Sequence, residues 1–287
     1  EIDDPYRYGR VLSDLDIYVG VSGGAFIAAN LVNDVSAAQM VRALVKHEPG
    51  EHPFVPATFF TPAYWEWAKR SLMLPRLITE AIFHLVGQPA DQTMLEAFTR
   101  LARALPVGIF DNEPIRRFLA QTFSVKGRTD DFRKLRHKLI VVSADLSNGH
   151  SIRFGEKGWD HVPISRAVQA STAVPGLYPP VVIDGHQCVD GILLRTVHAS
   201  VALEDGARLV LCVNPLVPAA ATAAEKAGKA RNGIIVRRGL PTVLSQTIRT
   251  LIHSRLQVGM GTYKNRFPDA DVLLFQPDRD EYRMFFI

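Results

Sequence analysis

A serine flanked by glycines is the residue of this chain best suited to do chemistry. Residues 20–24 read Gly-Val-Ser-Gly-Gly, with Ser22 at the centre. The apolar run before it (17–19) predicts a strand, and the small and apolar residues after it (25–32) predict a helix. A serine at such a sharp strand-to-helix turn is held on a strained backbone with its hydroxyl exposed. The pattern therefore predicts a nucleophile for acyl transfer.

The same five residues also have a simpler interpretation. Gly and Ser are common in turns, so Ser22 is alternatively the N-cap of the following helix. The strand before it and the helix after it favour the nucleophile. Small residues at the start of that helix also allow it to approach the sheet closely. They are Gly23, Gly24, Ala25, Ala28 and Ala29.

A nucleophilic serine needs a base to accept its proton. Nine histidines are candidates by residue type, at positions 47, 52, 84, 137, 150, 161, 186, 198 and 253. None of them lies in a recognisable motif. His253, in a predicted late helix, would complete a Ser-Asp-His order, and His186 and His198 flank the pair Asp190-Gly191.

Two Asp-Gly pairs, six residues apart, supply carboxylates as alternative bases. Asp184-Gly185 lies between two short β-like runs and fits a two-residue hairpin turn. Asp190-Gly191 ends the return strand, from which a carboxylate can project at the edge of the sheet. The sequence pattern by itself leaves both open.

Composition excludes several classes of protein. The 287 residues are 47% apolar, which is enough for a substantial core. We predict no transmembrane helix, because no apolar run reaches about 18 residues.

The net charge of +4 is compatible with an anionic membrane surface. The sequence has no basic stretch interleaved with aromatics of the kind that would indicate nucleic-acid binding. Cys188 and Cys212 lie in apolar runs and are predicted to be reduced. With no recognisable signal peptide, these features predict a cytoplasmic protein that can contact membranes.

Alternating buried strands and helices predict the fold class, an α/β sandwich with a mostly parallel sheet. Strands are predicted at 138–144, 151–154, 181–183, 209–213 and 271–275. Helices are predicted at 36–48, 111–123, 164–173 and 241–261, and a surface loop or weak helix at 217–232.

The stretch from about residue 50 to 106 differs from the rest. It begins with several prolines and continues with a dense series of Phe, Trp, Leu and Ile side chains between 54 and 86, interrupted by charged residues. Helices of this kind would cover an apolar cleft like a lid or lie on a lipid surface. The alternative is that they pack as a helical flank of the core.

Several segments, in order along the chain, resemble the patatin-like phospholipases, lipid acyl hydrolases of the neuropathy-target-esterase type. Besides 20–24 they are 108–111, 141–149, 189–191 and above all 170–180, which reads Ala-Ser-Thr-Ala-Val-Pro-Gly-Leu-Tyr-Pro-Pro. The resemblance covers most of the chain. It implies a single domain over 1–287, a three-layer α/β/α sandwich with a mostly parallel central sheet.

The resemblance also implies a Ser-Asp dyad that works without a histidine, a metal or a cofactor. Ser22 is then the nucleophile, and Asp190 rather than Asp184 is the base. Asp190 would take the Ser22 proton directly and later activate water for deacylation. Gly191 would support the site.

The same resemblance gives roles to the elbow glycines. Gly20, Gly23 and Gly24 form the oxyanion and elbow set, with the Gly23 N–H as one oxyanion donor. The family's glycine-rich oxyanion loop upstream of the elbow is not found in residues 1–10, which contain a single glycine. Either the chain is an N-terminally trimmed version or this part of the site is absent. Two smaller departures are Ile192 after the Asp-Gly pair and Thr-Val-His at 196–198.

The resemblance thus implies a serine esterase that cleaves carboxylic esters of phospholipids or lysophospholipids. Residues 54–86 would supply an acyl-chain groove or a contact with an anionic membrane. Two alternatives stay open: an α/β-hydrolase with a Ser-Asp-His triad, and a lipid-binding module that has kept the fold without catalysis. The early position of the elbow argues against the triad, and the missing loop favours the lipid-binding module.

Overall fold

The computed structural model describes residues 15–44, 56–87, 104–194, 197–215 and 240–277. The predicted loop at 217–232 lies outside these residues. The strands are β1 (Ile17–Val21), β2 (Lys138–Asp145), β3 (Ser151–Phe154), β4 (Val181–Ile183), β5 (His186–Asp190), β6 (Leu209–Val213) and β7 (Asp271–Phe275). The helices are α1 (Gly23–Val32), α2 (Ala37–Leu44), α3 (Tyr64–Gly87), α4 (Glu113–Phe123), α5 (Ile164–Ser171), α6 (Ala199–Glu204) and α7 (Leu240–Arg266). Short 3₁₀ turns lie at Pro56–Phe60, Phe132–Lys134 and Gly191–Leu193.

A five-stranded sheet is built around β2. β1 runs parallel to β2 and ends with Val21 opposite Val142, while β3 runs antiparallel to β2 along 141–144. β5 pairs antiparallel with the end of β2, with Asp190 opposite Ser143, and β4 pairs with β5. Because β3 occupies one edge of β2 over this stretch, β1 and β5 must share the other edge. Their carboxyl ends therefore meet head to head.

Helices cover both faces of this sheet. On β2, Leu139 and Val141 lie in the main core together with buried residues of α1, α4 and α5. Ile140 and Val142 point the other way and pack with Val201 of α6, because successive side chains of a strand alternate between its faces. The three-layer α/β/α arrangement predicted from the sequence is confirmed.

Strands β6 and β7 form a separate parallel pair that packs with α6 and α7. A groove of about 390 Å³ separates β6 from β1. Parallel pairing thus holds for β1–β2 and β6–β7, whereas the ladders of β3, β4 and β5 are antiparallel. The α/β fold predicted from the sequence is thus present, with both parallel and antiparallel ladders among the described strands.

Two hairpins account for most of the antiparallel pairing. The turn containing Asn148-Gly149 joins β2 to β3, and Asp184-Gly185 joins β4 to β5. Such short connections can join only antiparallel neighbours, since parallel strands need a crossover. Gly149 and Gly185 have φ of 73° and 84°, which suits glycine. The Asp184-Gly185 turn is the hairpin that the sequence pattern allowed, and Asn-Gly at 148–149 is likewise a typical hairpin pair.

Candidate active site

Ser22 lies between the last residue of β1 and the first residue of α1. Its φ of 54° and ψ of −131° are rarely adopted by residues other than glycine, and such a conformation costs on the order of 1–3 kcal/mol. The Ser22 carbonyl accepts hydrogen bonds from the N–H groups of Ala25 (2.9 Å) and Phe26 (3.4 Å). The strained strand-to-helix turn predicted from the sequence is present. The Ser22 hydroxyl makes no capping bond to α1, so the N-cap alternative does not describe its side chain.

The elbow glycines differ in what surrounds them. A Cβ on Gly20 would lie 2.4 Å from the Cα of Ala25, so glycine is needed for α1 to pack this closely on β1. A Cβ on Gly23 or Gly24 would meet no described atom within 4 Å, and both residues are exposed. Close packing of α1 on β1 therefore requires a glycine at position 20. It does not require one at positions 23 and 24, which face open space. The first N–H groups of α1 lie there without intrahelical acceptors.

Asp190 is the last residue of β5 and is completely buried. Because β1 and β5 meet end to end beside β2, Asp190 lies next to the turn that carries Ser22. Its N–H donates to the Ala173 carbonyl at 3.0 Å. Its Oδ1 accepts the Ile192 N–H at 3.0 Å. The carboxylate is thus held at its backbone and at one of its two oxygens.

The second oxygen of Asp190, Oδ2, is buried and accepts no hydrogen bond of standard geometry from the described residues. Burial raises the pKa of Asp190 to about 6, and the Ser22 hydroxyl and the Ile192 N–H oppose that shift. The Ser22 hydroxyl therefore lies within reach of the carboxylate without a well-aligned hydrogen bond to it. Catalytic hydrogen bonds are often long or poorly aligned in the absence of substrate.

Asp184, the other aspartate that precedes a glycine, has a different environment. It lies in the turn between β4 and β5 with φ of 51°. Its side chain is 55% exposed and accepts a hydrogen bond from His161 at 2.9 Å. It is the hairpin residue that the pattern allowed, and it is far from the elbow along the strand.

The histidines singled out in the sequence occupy three different places. His198 is buried, with its Nε2 3.4 Å from the Gly191 carbonyl oxygen. His186 pairs with Asp145 at 2.7 Å, and His253 lies on α7 beside Gln257. Among the described residues, neither Ser22 nor Asp190 is hydrogen-bonded to a histidine.

Gly191 lies directly after Asp190, close to the backbone of β2 at Val142. A Cβ at this position would lie 2.6 Å from the Val142 carbonyl oxygen, so glycine is needed for this close approach. The same carbonyl accepts a hydrogen bond from the Ser171 hydroxyl at 2.6 Å. Sequence reasoning missed Ser171 and Ala173. Their only signal was their place in the family-like segment 170–180.

Other features bear on ligands. Within the described ranges, no group of three or more His, Cys, Asp and Glu side chains is placed to hold a metal ion. Cys188 and Cys212 are both buried. None of the helices that the structure describes is both long and apolar enough to cross a bilayer.

An α/β sandwich with a serine on a strand-to-helix elbow belongs to the broad class of proteins with nucleophile-elbow geometry. Within that class, the chain belongs to the patatin-like phospholipase family, whose model matches residues 7–203. The match includes both the elbow and the Asp-Gly pair at the end of β5. At the level of the family, the chain is a lipid acyl hydrolase.

Proposed function

We propose that the protein hydrolyses carboxylic esters of phospholipids or lysophospholipids through a dyad of Ser22 and Asp190. The observation that carries this proposal is the head-to-head meeting of β1 and β5, which places a buried carboxylate beside the strained serine. Burial raises the pKa of Asp190 to about 6, which makes its carboxylate a better proton acceptor than an exposed one and still leaves it ionised at neutral pH.

The reaction follows from these positions. Ser22 Oγ attacks the ester carbonyl carbon while Asp190 Oδ2 takes its proton. The tetrahedral intermediate collapses to an acyl-serine, and the proton passes from Asp190 to the leaving alcohol oxygen. Water then attacks the acyl-serine with Asp190 again as base, releasing the fatty acid and restoring both side chains. The exposed backbone N–H groups of Gly23 and Gly24 would donate hydrogen bonds to the oxyanion of the tetrahedral intermediate.

Fluorophosphonate labelling tests whether Ser22 is activated. We expect the wild-type chain to be labelled at Ser22 and the Ser22→Ala variant to lose labelling and ester hydrolysis. Ser254→Ala, which removes an exposed serine of α7, is the matched control and should keep both. Lipid binding by an unlabelled wild-type chain would instead favour the lipid-binding module without catalysis.

Helix α3 offers a surface for lipid. On α3, Trp65 and Leu72 are 83% and 82% exposed and lie seven residues apart, so they form one stripe on the helix. Lys69 follows Trp65 by four residues and Arg76 follows Leu72 by four, so both cations lie beside the stripe; Arg76 also pairs with Glu80 at 2.8 Å. Exposed aromatic and apolar groups beside cations match an anionic lipid–water interface. We therefore include this face of α3, the docking stripe, as a membrane contact.

Contacts connect the start of α3 with the segment that carries the site. Trp67 Nε1 donates to the Ile109 carbonyl at 3.5 Å. The next residue, Phe110, donates its N–H to the Leu177 carbonyl at 2.8 Å. Leu177 lies four residues after Ala173, which binds Asp190. These contacts fix the start of α3 to the segment that binds Asp190.

Removing the docking stripe should separate lipid binding from chemistry. We expect the double variant Trp65→Ala/Leu72→Ala to lose about tenfold in binding to vesicles that contain phosphatidylglycerol, and in hydrolysis of their lipids. Hydrolysis of a soluble short-chain ester should stay within about twofold. The control Leu251→Ala/Val258→Ala removes two exposed apolar side chains, also seven residues apart, from α7. Equal losses in the two double variants would contradict a specific role of the stripe.

A further inference from the structure

We propose that Ser171 is a positioning residue for the reaction: its hydroxyl holds the backbone of Ser22 in the orientation that directs the Ser22 hydroxyl to Asp190. The inference rests on the proposed function, in which Ser22 is the nucleophile. Ser171 is the last residue of α5 and is completely buried. It acts through Ser22 and not on the substrate.

The Ser171 hydroxyl makes two hydrogen bonds of opposite polarity. It accepts the Ser22 N–H at 2.9 Å and donates to the Val142 carbonyl at 2.6 Å. A hydroxyl is both donor and acceptor, so one small group serves both partners. Val142 is opposite Val21, the last residue of β1. The hydroxyl therefore joins the nucleophile turn to β2 at the point where the regular ladder ends.

This bond acts on a strained residue. The positive φ of Ser22, 54°, persists only where the surroundings hold it. Two hydrogen bonds hold the turn. The Ala25 N–H donates to the Ser22 carbonyl, and the Ser22 N–H donates to the Ser171 hydroxyl. Without the Ser171 hydroxyl, the amide loses its acceptor and the turn can relax. Relaxation of the backbone would rotate the Ser22 hydroxyl away from the carboxylate.

The same segment holds the other member of the dyad. The carbonyl of Ala173, two residues after Ser171, accepts the Asp190 N–H at 3.0 Å. The backbone amides of both Ser22 and Asp190 are thus bonded to one short stretch, 171–173. The end of α5 therefore sets the distance between nucleophile and base, and Ser171 is the side chain by which it does so.

Thr172 provides a matched control one residue away. It is buried, and its hydroxyl bonds to the carbonyls of Val168 (2.9 Å) and Gln169 (3.1 Å) within α5. Thr172→Val removes a buried hydroxyl of the same segment that is bonded to neither Ser22 nor Asp190. A purely structural contribution of Ser171 would give the same phenotype as Thr172→Val.

The experiment compares Ser171→Ala with Thr172→Val in thermal melting, in steady-state hydrolysis of a soluble ester and in the pH profile of kcat/KM. We expect similar losses of melting temperature. Ser171→Ala alone should lower kcat by roughly ten- to a hundredfold with KM within about twofold, because a small misplacement of reacting groups has effects of this size. Its acid limb should also move to higher pH, since the Ser22 hydroxyl helps to lower the pKa of Asp190.

Equal kcat values and equal acid limbs in the two variants would overturn the positioning role. If Ser171→Ala does not fold, Ser171→Cys replaces it, because a thiol of similar size is a weaker donor and acceptor; the same direction of change is expected. Labelling of the wild type tests the proposed function separately from the Ser171 role. A wild-type chain that is not labelled at Ser22 overturns that function before any Ser171 variant is compared.

Discussion

Under the proposed dyad, replacing Asp190 with Asn is expected to lower kcat for a soluble ester by about 10⁴-fold, the size of loss seen when a serine hydrolase loses a member of its catalytic group. Asn keeps the size of the side chain, and its Oδ1 can still accept the Ile192 N–H, which lies 3.0 Å from Oδ1 of Asp190 in the wild type. Its amide cannot take the Ser22 proton, so the attacking hydroxyl loses its base. The measurement is steady-state hydrolysis of p-nitrophenyl butyrate by the wild type and the variant.

The second Asp-Gly pair supplies the matched control. Asp184→Asn makes the same chemical change beside a glycine, on an exposed turn, and should leave kcat within about twofold. His198→Gln tests the triad, because His198 is the histidine beside Gly191. A loss in His198→Gln as large as that in Asp190→Asn would favour a Ser-Asp-His triad. Full activity of Asp190→Asn would exclude Asp190 as the base.

The elbow could be predicted because its determinants are local. Strand, serine turn and helix lie together within residues 17–32, and hydrophobic pattern and turn chemistry suffice to recognise them. The hairpins were predictable for the same reason, since Asn148-Gly149 and Asp184-Gly185 are short-range signals. In each case the residues that define the feature are neighbours in the chain.

The rest of the site depends on long-range register. Asp184 and Asp190 both precede a glycine, and only the family resemblance favoured Asp190. The two aspartates differ in strand pairing. Asp190 pairs with Ser143 of β2, next to the end of β1, whereas Asp184 lies in the turn between β4 and β5. The bond from Ser22 to Ser171 spans 149 residues, so no local pattern indicates it. The antiparallel position of β5 beside β2 was missed for the same reason.

The kcat/KM for ester hydrolysis should depend strongly on pH. Burial raises the pKa of Asp190 to about 6 from its usual 3.8, and only the ionised carboxylate can accept the Ser22 proton. The rate should therefore fall about tenfold per pH unit below about pH 6 and level off above it. An uncharged soluble ester, assayed from about pH 4 to 9, reports this limb without a contribution from the substrate. A plateau that continues down to about pH 4 would contradict a buried carboxylate base.

The same raised pKa of Asp190 should make the wild type less stable than the Asp190→Asn variant above about pH 6. The unfolded chain titrates Asp190 near 3.8, so between about pH 4 and 6 the folded protein binds this proton more strongly than the unfolded chain does. The resulting stabilisation is complete below about pH 4 and is lost as the pH rises through 6. A difference between about 6 and 3.8 corresponds to about 3 kcal/mol of unfolding free energy.

Asp190→Asn removes the ionisable group and with it this loss of stability. We expect the variant to melt several degrees above the wild type at about pH 8 and at nearly the same temperature near pH 4, where the wild-type carboxyl is protonated. Asp184→Asn is the matched control at about pH 8 and should melt close to the wild type there, because its side chain lies on an exposed turn. An Asp190→Asn variant that melts below the wild type at about pH 8 would mean that the ionised carboxylate stabilises the fold. Burial would then not be what prepares Asp190 to act as a base.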